Sequence, residues 1–197
     1  MGKSKDARQK ILHAAYEEIR LYGYQGSNVN SIAKKSGVTK GAMFYHFSNK
    51  VTLGYAVVDE LLQEMVATKW LRPLEKCDNP IKCLQQIIRT SIRDTTVEDV
   101  RLGSPLIDLS LEMSALDEGF RERFDCIRND WLRSVTKSFK RGQKVDVVCG
   151  EIDARKAATQ ILAFLIGSIA LAKGAQSLKL FRDCQRRMLE YLDTLCP

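Results

Sequence analysis

Polar side chains that could grip a phosphodiester are concentrated between residues 28 and 46. Asn28, Asn30, Lys34, Thr39, Lys40, Tyr45 and His46 fall within nineteen residues, and "VTKGAMFYHF" (38–47) sets aromatic rings directly among them. Lysine ammonium groups suit phosphate oxygens, and amide, hydroxyl, phenol and imidazole groups can bond either phosphates or base edges. The same inventory is poor in catalytic chemistry. His13 and His46 are the only histidines, and neither a nucleophile elbow nor a phosphate-cradling glycine loop is present. The six cysteines form no CxxC pair and lie far from both histidines, so no metal spacing arises. An enzyme, a metal and a cofactor are all unexpected on these grounds.

Charge distribution points the same way. The 197-residue chain carries a net charge of +7. Residues 1–50 hold nine Lys/Arg against three Asp/Glu, whereas residues 51–197 hold 22 against 21. The excess therefore sits with the polar cluster, as in a protein adapted at one end to an anionic polymer.

Helices must position these groups. Ile11, Ala14, Ala15, Ile19 and Tyr22 recur at helical spacing until "YGYQG" breaks the pattern. Asn28 is placed to cap a short helix that ends at Gly37, and Thr39 to cap a second over 40–47. Ser48 or Asn49 caps a fourth helix to about Leu71, where Pro73 is expected to stop it. Helices then follow from Pro80 to about Thr95, Pro105 to Ser114 and Asp117 to Lys144, with "TTVEDVRLGSP" read as a polar loop. In the longest, Phe120, Phe124, Ile127, Trp131, Val135 and Phe139 make one apolar stripe. Residues 153–174 are apolar around nearly the whole circumference, and 177–195 are amphipathic. That pair suggests a four-helix bundle shared between two subunits, hence a homodimer. The longest apolar run, Ile161 to Ala172, falls short of the ~20 residues that span a bilayer, so no membrane is expected. With a polar, basic start and no signal-like segment, the expected location is cytoplasmic.

The two short helices joined by "SGVT" have the dimensions of a helix-turn-helix, with Ile32, Ala33, Val38 and Met43 closing one onto the other. The run from Ile11 to Val57 resembles the N-terminal domain of the TetR family of transcriptional regulators. The matching features are Gly23-Tyr24, Ile32-Ala33, Gly37-Val38-Thr39, Gly41, His46-Phe47, Lys50 and Leu53, in that order. The resemblance implies an all-α fold of about nine helices. A three-helix DNA-binding domain would occupy 5–65, with the motif at 28–47, and a helical ligand-binding and dimerisation domain 66–197. It further implies that Asn28, Val29 and Asn30 open a helix contacting backbone phosphate, while Thr39 caps the recognition helix. Lys40, Gly41 and Ala42 would face bases, Tyr45 and His46 would approach phosphates or bases, and Lys50 would meet a phosphate. Met43 and Phe47 would anchor the helix inward. Phe44 stands where the family usually has Tyr, Ser31 where an acidic residue is frequent, and Val51 where Glu is frequent.

The implied function is a ligand-released repressor that binds a palindromic double-stranded DNA operator as a homodimer. A small-molecule pocket is implied among the middle helices, with Trp70, Ile88, Leu109, Met113, Trp131, Phe164 and Ser168 as candidate lining. The absence of an evident buried charge favours an apolar or aromatic effector. Two alternatives accompany this reading. One is a redox or electrophile sensor built on Cys77, Cys83, Cys126, Cys149, Cys184 or Cys196, of which Cys77 and Cys83, each following a lysine, are the pair of interest. Ser104 occupies a position where a related subgroup often carries cysteine. The other alternative is a helical small-molecule binder without DNA function.

Overall fold

The computed structural model describes residues 2–197, with side chains from Asp6 onward. Every regular element among the described residues is a helix, and the chain divides into two compact units, Met1–Glu64 with Ser104–Asp125, and Met65–Gly103 with Cys126–Pro197. The segment 104–125, expected in the second domain, packs with the first unit instead.

In the first unit, α1 (Gly2–Gly26) kinks at Gly23, whose φ of 73° is open to glycine at little cost. Helix α2 (Val29–Ser36) and α3 (Lys40–His46) follow, and then the start of α4, which runs over 50–76 and so continues beyond this unit. Asn49 caps α4 in a reciprocal box with Thr52. Helix α7 (Pro105–Met113) packs on α1, and Phe120 near the start of α8 (Glu118–Gln143) meets Tyr24 and Tyr55 edge-on, with centroids 5.0 and 4.9 Å away. These rings close over Gly54, where an added Cβ would lie 2.7 Å from both Phe120 and Tyr24.

Helix α4 outruns its expected end at Leu71. Its α-helical stretches alternate with π turns at Val57–Leu62 and Ala67–Leu71, and its last stretch, Arg72–Lys76, contains Pro73. A wide turn just before the proline places its missing N–H at the start of a new α-helical stretch, where that donor is dispensable. The expected polar loop after α5 (Pro80–Asp94) contains α6 (Val97–Leu102), held by a capping box between Thr96 and Asp99.

The second unit is built around Leu84, Ile88, Trp131, Val135, Phe139, Ile161 and Leu192. The stripe expected from Phe120 to Phe139 is buried along its length. Helix α9 (Ala154–Gly174) has a mean hydropathy of 1.5 over its most apolar window, of which 33% is buried. By length and composition it could cross a membrane, which the shorter uninterrupted run concealed. It packs against α10 (Leu178–Asp193), which buries Phe181, Met188 and Leu192.

Candidate nucleic-acid interface

Local capping chemistry builds the α2–α3 corner. Asn28 Oδ1 accepts from Asn30 N at 2.8 Å and Ser31 N at 3.4 Å, satisfying donors that an isolated helix start leaves open. Gly37 ends α2 in the left-handed conformation (φ 70°), and its N–H bonds to Lys34 O, while Val38 N bonds to Ala33 O. Thr39 Oγ1 accepts from Ala42 N at 3.1 Å, starting α3. A seven-residue helix is not stable alone, so its order depends on burial of Met43 and Phe47, with Ile32 and Ala33 buried on α2.

What remains outward is the polar set. Asn28, Asn30, Lys34, Thr39, Lys40, Gly41, Ala42, Phe44 and Tyr45 are exposed, Tyr45 at 84%. Val29, His46 and Lys50 are half-buried, and the Tyr45 and His46 rings meet edge-on at 5.3 Å. Lys40 Nζ lies 5.9 Å from the Phe44 ring centroid, so the apolar ring at 44 provides a platform for the lysine where a phenol would have offered a hydroxyl. Around Gly41 the nearest atom to an added Cβ is Thr39 Oγ1 at 4.0 Å. No neighbouring protein atom requires glycine there.

Lys50 is tied inward. Its ammonium donates to Ser27 O at 2.7 Å and Gln25 O at 3.3 Å and sits 4.8 Å from the Tyr24 ring centroid. Burial lowers its pKa, with Glu112 opposing the shift. An ammonium has three donors, so one is left for an outside anion.

Three acidic residues that sequence reasoning passed over organise this unit. Glu18, 2% exposed, accepts from Ser31 Oγ at 2.9 Å, Lys35 Nζ at 2.5 Å and Asn28 N at 3.4 Å. Burial pushes its carboxyl up, but the bonds from Lys35, Ser31 and Asn28 outweigh that and hold it below the ordinary value. It supplies from α1 the acidic partner missing at Ser31. Its sequence signal was an acid at i+7 from Ile11 and i+3 from Ala15, on the apolar stripe. Glu112 of α7 accepts from Tyr24 N at 2.8 Å and Gln25 N at 2.7 Å, fixing the kink after Gly23. Glu60 pairs with both terminal nitrogens of Arg8, whose guanidinium lies 4.9 Å from the Phe47 ring centroid. Neither Glu112 nor Glu60 has a local sequence signal, because their partners are 52 to 88 residues away.

The candidate pocket residues fall in both units. Leu109 and Met113 are core residues of the first unit. In the second, Trp70 meets Trp131 edge-on at 5.9 Å, and Ile88 is buried in the same cluster. Ser168 is buried and accepts from Gln185 Nε2 at 2.7 Å, and Phe164 is 36% exposed on α9. Cys77 and Cys83 line a common groove, and all six cysteines are free thiols. Burial and the neighbouring Cys77 push the Cys83 thiol up to about 12.

Two capped helices in sequence, the second presenting an exposed polar face over buried anchors, define a helix-turn-helix DNA-binding protein. Residues 11–56 match the model of the bacterial regulatory proteins of the tetR family, and residues 80–187 match the C-terminal domain of LmrA/YxaF-like transcriptional regulators. The chain belongs to the TetR family of transcriptional regulators, with a C-terminal domain of the LmrA/YxaF-like type. It is accordingly a DNA-binding regulator and not an enzyme. The HTH-type transcriptional regulator LmrA of Bacillus subtilis (strain 168) is 30% identical over 174 residues, covering 87% of this chain and 89% of that protein. A TetR transcriptional regulator from Chloroflexus aurantiacus superposes with a TM-score of 0.84 at 20% identity, over 98% of this chain and 97% of that one. Reduced NemR of Escherichia coli gives 0.84 at 17% identity over the same shares. At these identities the two structures establish the fold.

Proposed function

We propose that the protein is a ligand-released repressor that binds a palindromic operator as a homodimer, one α3 per half-site. The observation that carries this reading is the exposure of Thr39, Lys40, Gly41, Ala42, Phe44 and Tyr45 on one short helix, with Gly41 leaving room for close approach by an external group. Asn28, Val29 and Asn30 would meet backbone phosphate with Lys34, Thr39 and Lys50. Lys40, Gly41 and Ala42 would face base edges, with Phe44, Tyr45 and His46 alongside. Seven residues read too few base pairs for specificity, so two copies on a palindrome are required. The exposed apolar residues of α9, Phe164, Ile166 and Leu171 at 60%, support residues 153–174 and 177–195 as the subunit interface. Covering that face by a second copy also accounts for its hydropathy without a membrane, consistent with a cytoplasmic protein.

Effector binding would release the operator only by favouring the conformation that binds DNA less well. Trp70 and Trp131 support an apolar or aromatic effector, and Gln185 Oε1, buried without a hydrogen-bond partner beside Ser168, offers a donor-bearing ligand one polar anchor. Thiol sensing at Cys83 is disfavoured, because a thiol pushed up to about 12 supplies almost no thiolate. Selection of bound fragments from genomic DNA tests the reading. A palindrome bound by two protomers is expected, and light scattering should give a dimer at micromolar concentration. Capture of one asymmetric half-site by a monomer would overturn it.

A further inference from the structure

The second unit carries a cationic cleft that DNA binding leaves unused. Arg133, Lys137, Lys140 and Arg141 lie on one side of the C-terminal part of α8, Lys144 directly follows that helix, and Arg155 joins them from the first turn of α9. Together with Thr136 they line an open surface hollow of about 530 Å³ with no acidic and no aromatic residue in its wall. Residues 51–197 as a whole are nearly neutral, so six cations around one hollow are a local concentration rather than a reflection of composition.

The wall is partly preorganised. Arg141 is half-buried, and its Nη2 donates to Leu74 O at 2.9 Å and Cys77 O at 2.8 Å, which fixes the guanidinium and leaves Nε and Nη1, on opposite sides of it, as single donors to separate acceptors. Nearby carboxylates are only partial counterweights. Asp130 approaches Arg133 at 3.6 Å, and Asp153, whose carboxyl is held down mainly by the N–H groups of Lys156 and Arg155, feels Lys140 as a weaker influence. Like charges lining one hollow repel one another, and an anion placed among them relieves that repulsion.

We propose that this cleft binds a small ligand through a chain of phosphates. The volume lies in the range of small-molecule sites, roughly 300–1,000 Å³. Guanidinium and ammonium groups gathered around one hollow can meet several phosphate oxygens at once. With no aromatic ring in the wall a nucleobase has no stacking partner, so the phosphates rather than a nucleoside are recognised.

The test is titration calorimetry of the full-length protein at 150 mM salt, where diffuse surface attraction is largely screened. Inorganic tripolyphosphate is the probe, with ATP and monophosphate as comparisons. One site per protomer is expected, with ATP and tripolyphosphate binding within about threefold of each other and monophosphate at least tenfold more weakly. The Lys140→Ala/Lys144→Ala variant should lose at least tenfold in affinity, and the Lys34→Ala/Lys40→Ala variant should lose nothing. Both pairs are exposed, and circular dichroism checks that each variant is folded. Absence of heat up to millimolar tripolyphosphate would overturn the proposal. So would loss of binding in the Lys34/Lys40 variant alone, which would assign the anion to the DNA head.

Discussion

Replacing Gly41 by alanine separates the demands of folding from those of DNA recognition. Gly41 is the second residue of α3, its φ lies outside the left-handed region, and the nearest atom to an added methyl group is 4.0 Å away. The substitution therefore meets neither strain nor clash within the protein. Glycine in a helix costs about 0.5–1 kcal/mol relative to alanine, so Gly41→Ala should stabilise the protein by up to that amount. A methyl group held against the operator should act oppositely. Displacement by a few tenths of an ångström disturbs every contact from Lys40 to Tyr45, and a loss of about 1.4 kcal/mol is a tenfold fall in affinity. Urea denaturation measures the first effect, and fluorescence anisotropy with the selected operator measures the second. A more stable protein that binds at least tenfold more weakly is expected. Destabilisation, or full operator affinity, would refute the claim that glycine is retained there for the ligand's approach.

Two further perturbations address the frame that holds α3 in place. Glu18→Ala removes three hydrogen bonds from an almost fully buried carboxylate and should cost about 2–3 kcal/mol in chemical denaturation. Because the folded-state pKa of Glu18 is depressed, its stabilising contribution is complete above the unfolded value of about 4.3 and is lost as pH falls through the lower, folded value. Wild type minus Glu18→Gln stability should shrink on acidification across that window, and a difference independent of pH would contradict the assignment. Gly54→Ala forces a methyl group to 2.7 Å from Phe120 and Tyr24 and should cost about 1–3 kcal/mol by overpacking, read as a lowered melting temperature.

The α2–α3 corner was legible because its determinants are local. Asn28, Gly37 and Thr39 are cap and turn residues whose roles follow from their immediate neighbours, and the burial of Ile32, Met43 and Phe47 follows from helical spacing. What was not legible depends on distant chain. Glu112 reaches the α1 kink from 88 residues away, and Lys50 turns inward to Gln25 and Ser27 carbonyls, contacts that no periodicity announces. Helix α6 was missed for a different reason. Thr96 and Asp99 form a local capping box, but six residues are too few to display a period. The helix of 50–76 passes Pro73 because π turns shift its hydrogen-bond register, which residue types alone do not disclose.

If α3 reads DNA as proposed, Lys40→Ala combined with Tyr45→Ala removes its outward-facing donors directly. Both side chains are exposed, and neither anchors the helix. Gel retardation on the selected operator should show binding abolished, while circular dichroism and light scattering show a folded protein in the wild-type oligomeric state. Equal retardation by variant and wild type would contradict the assignment of α3 as the recognition helix.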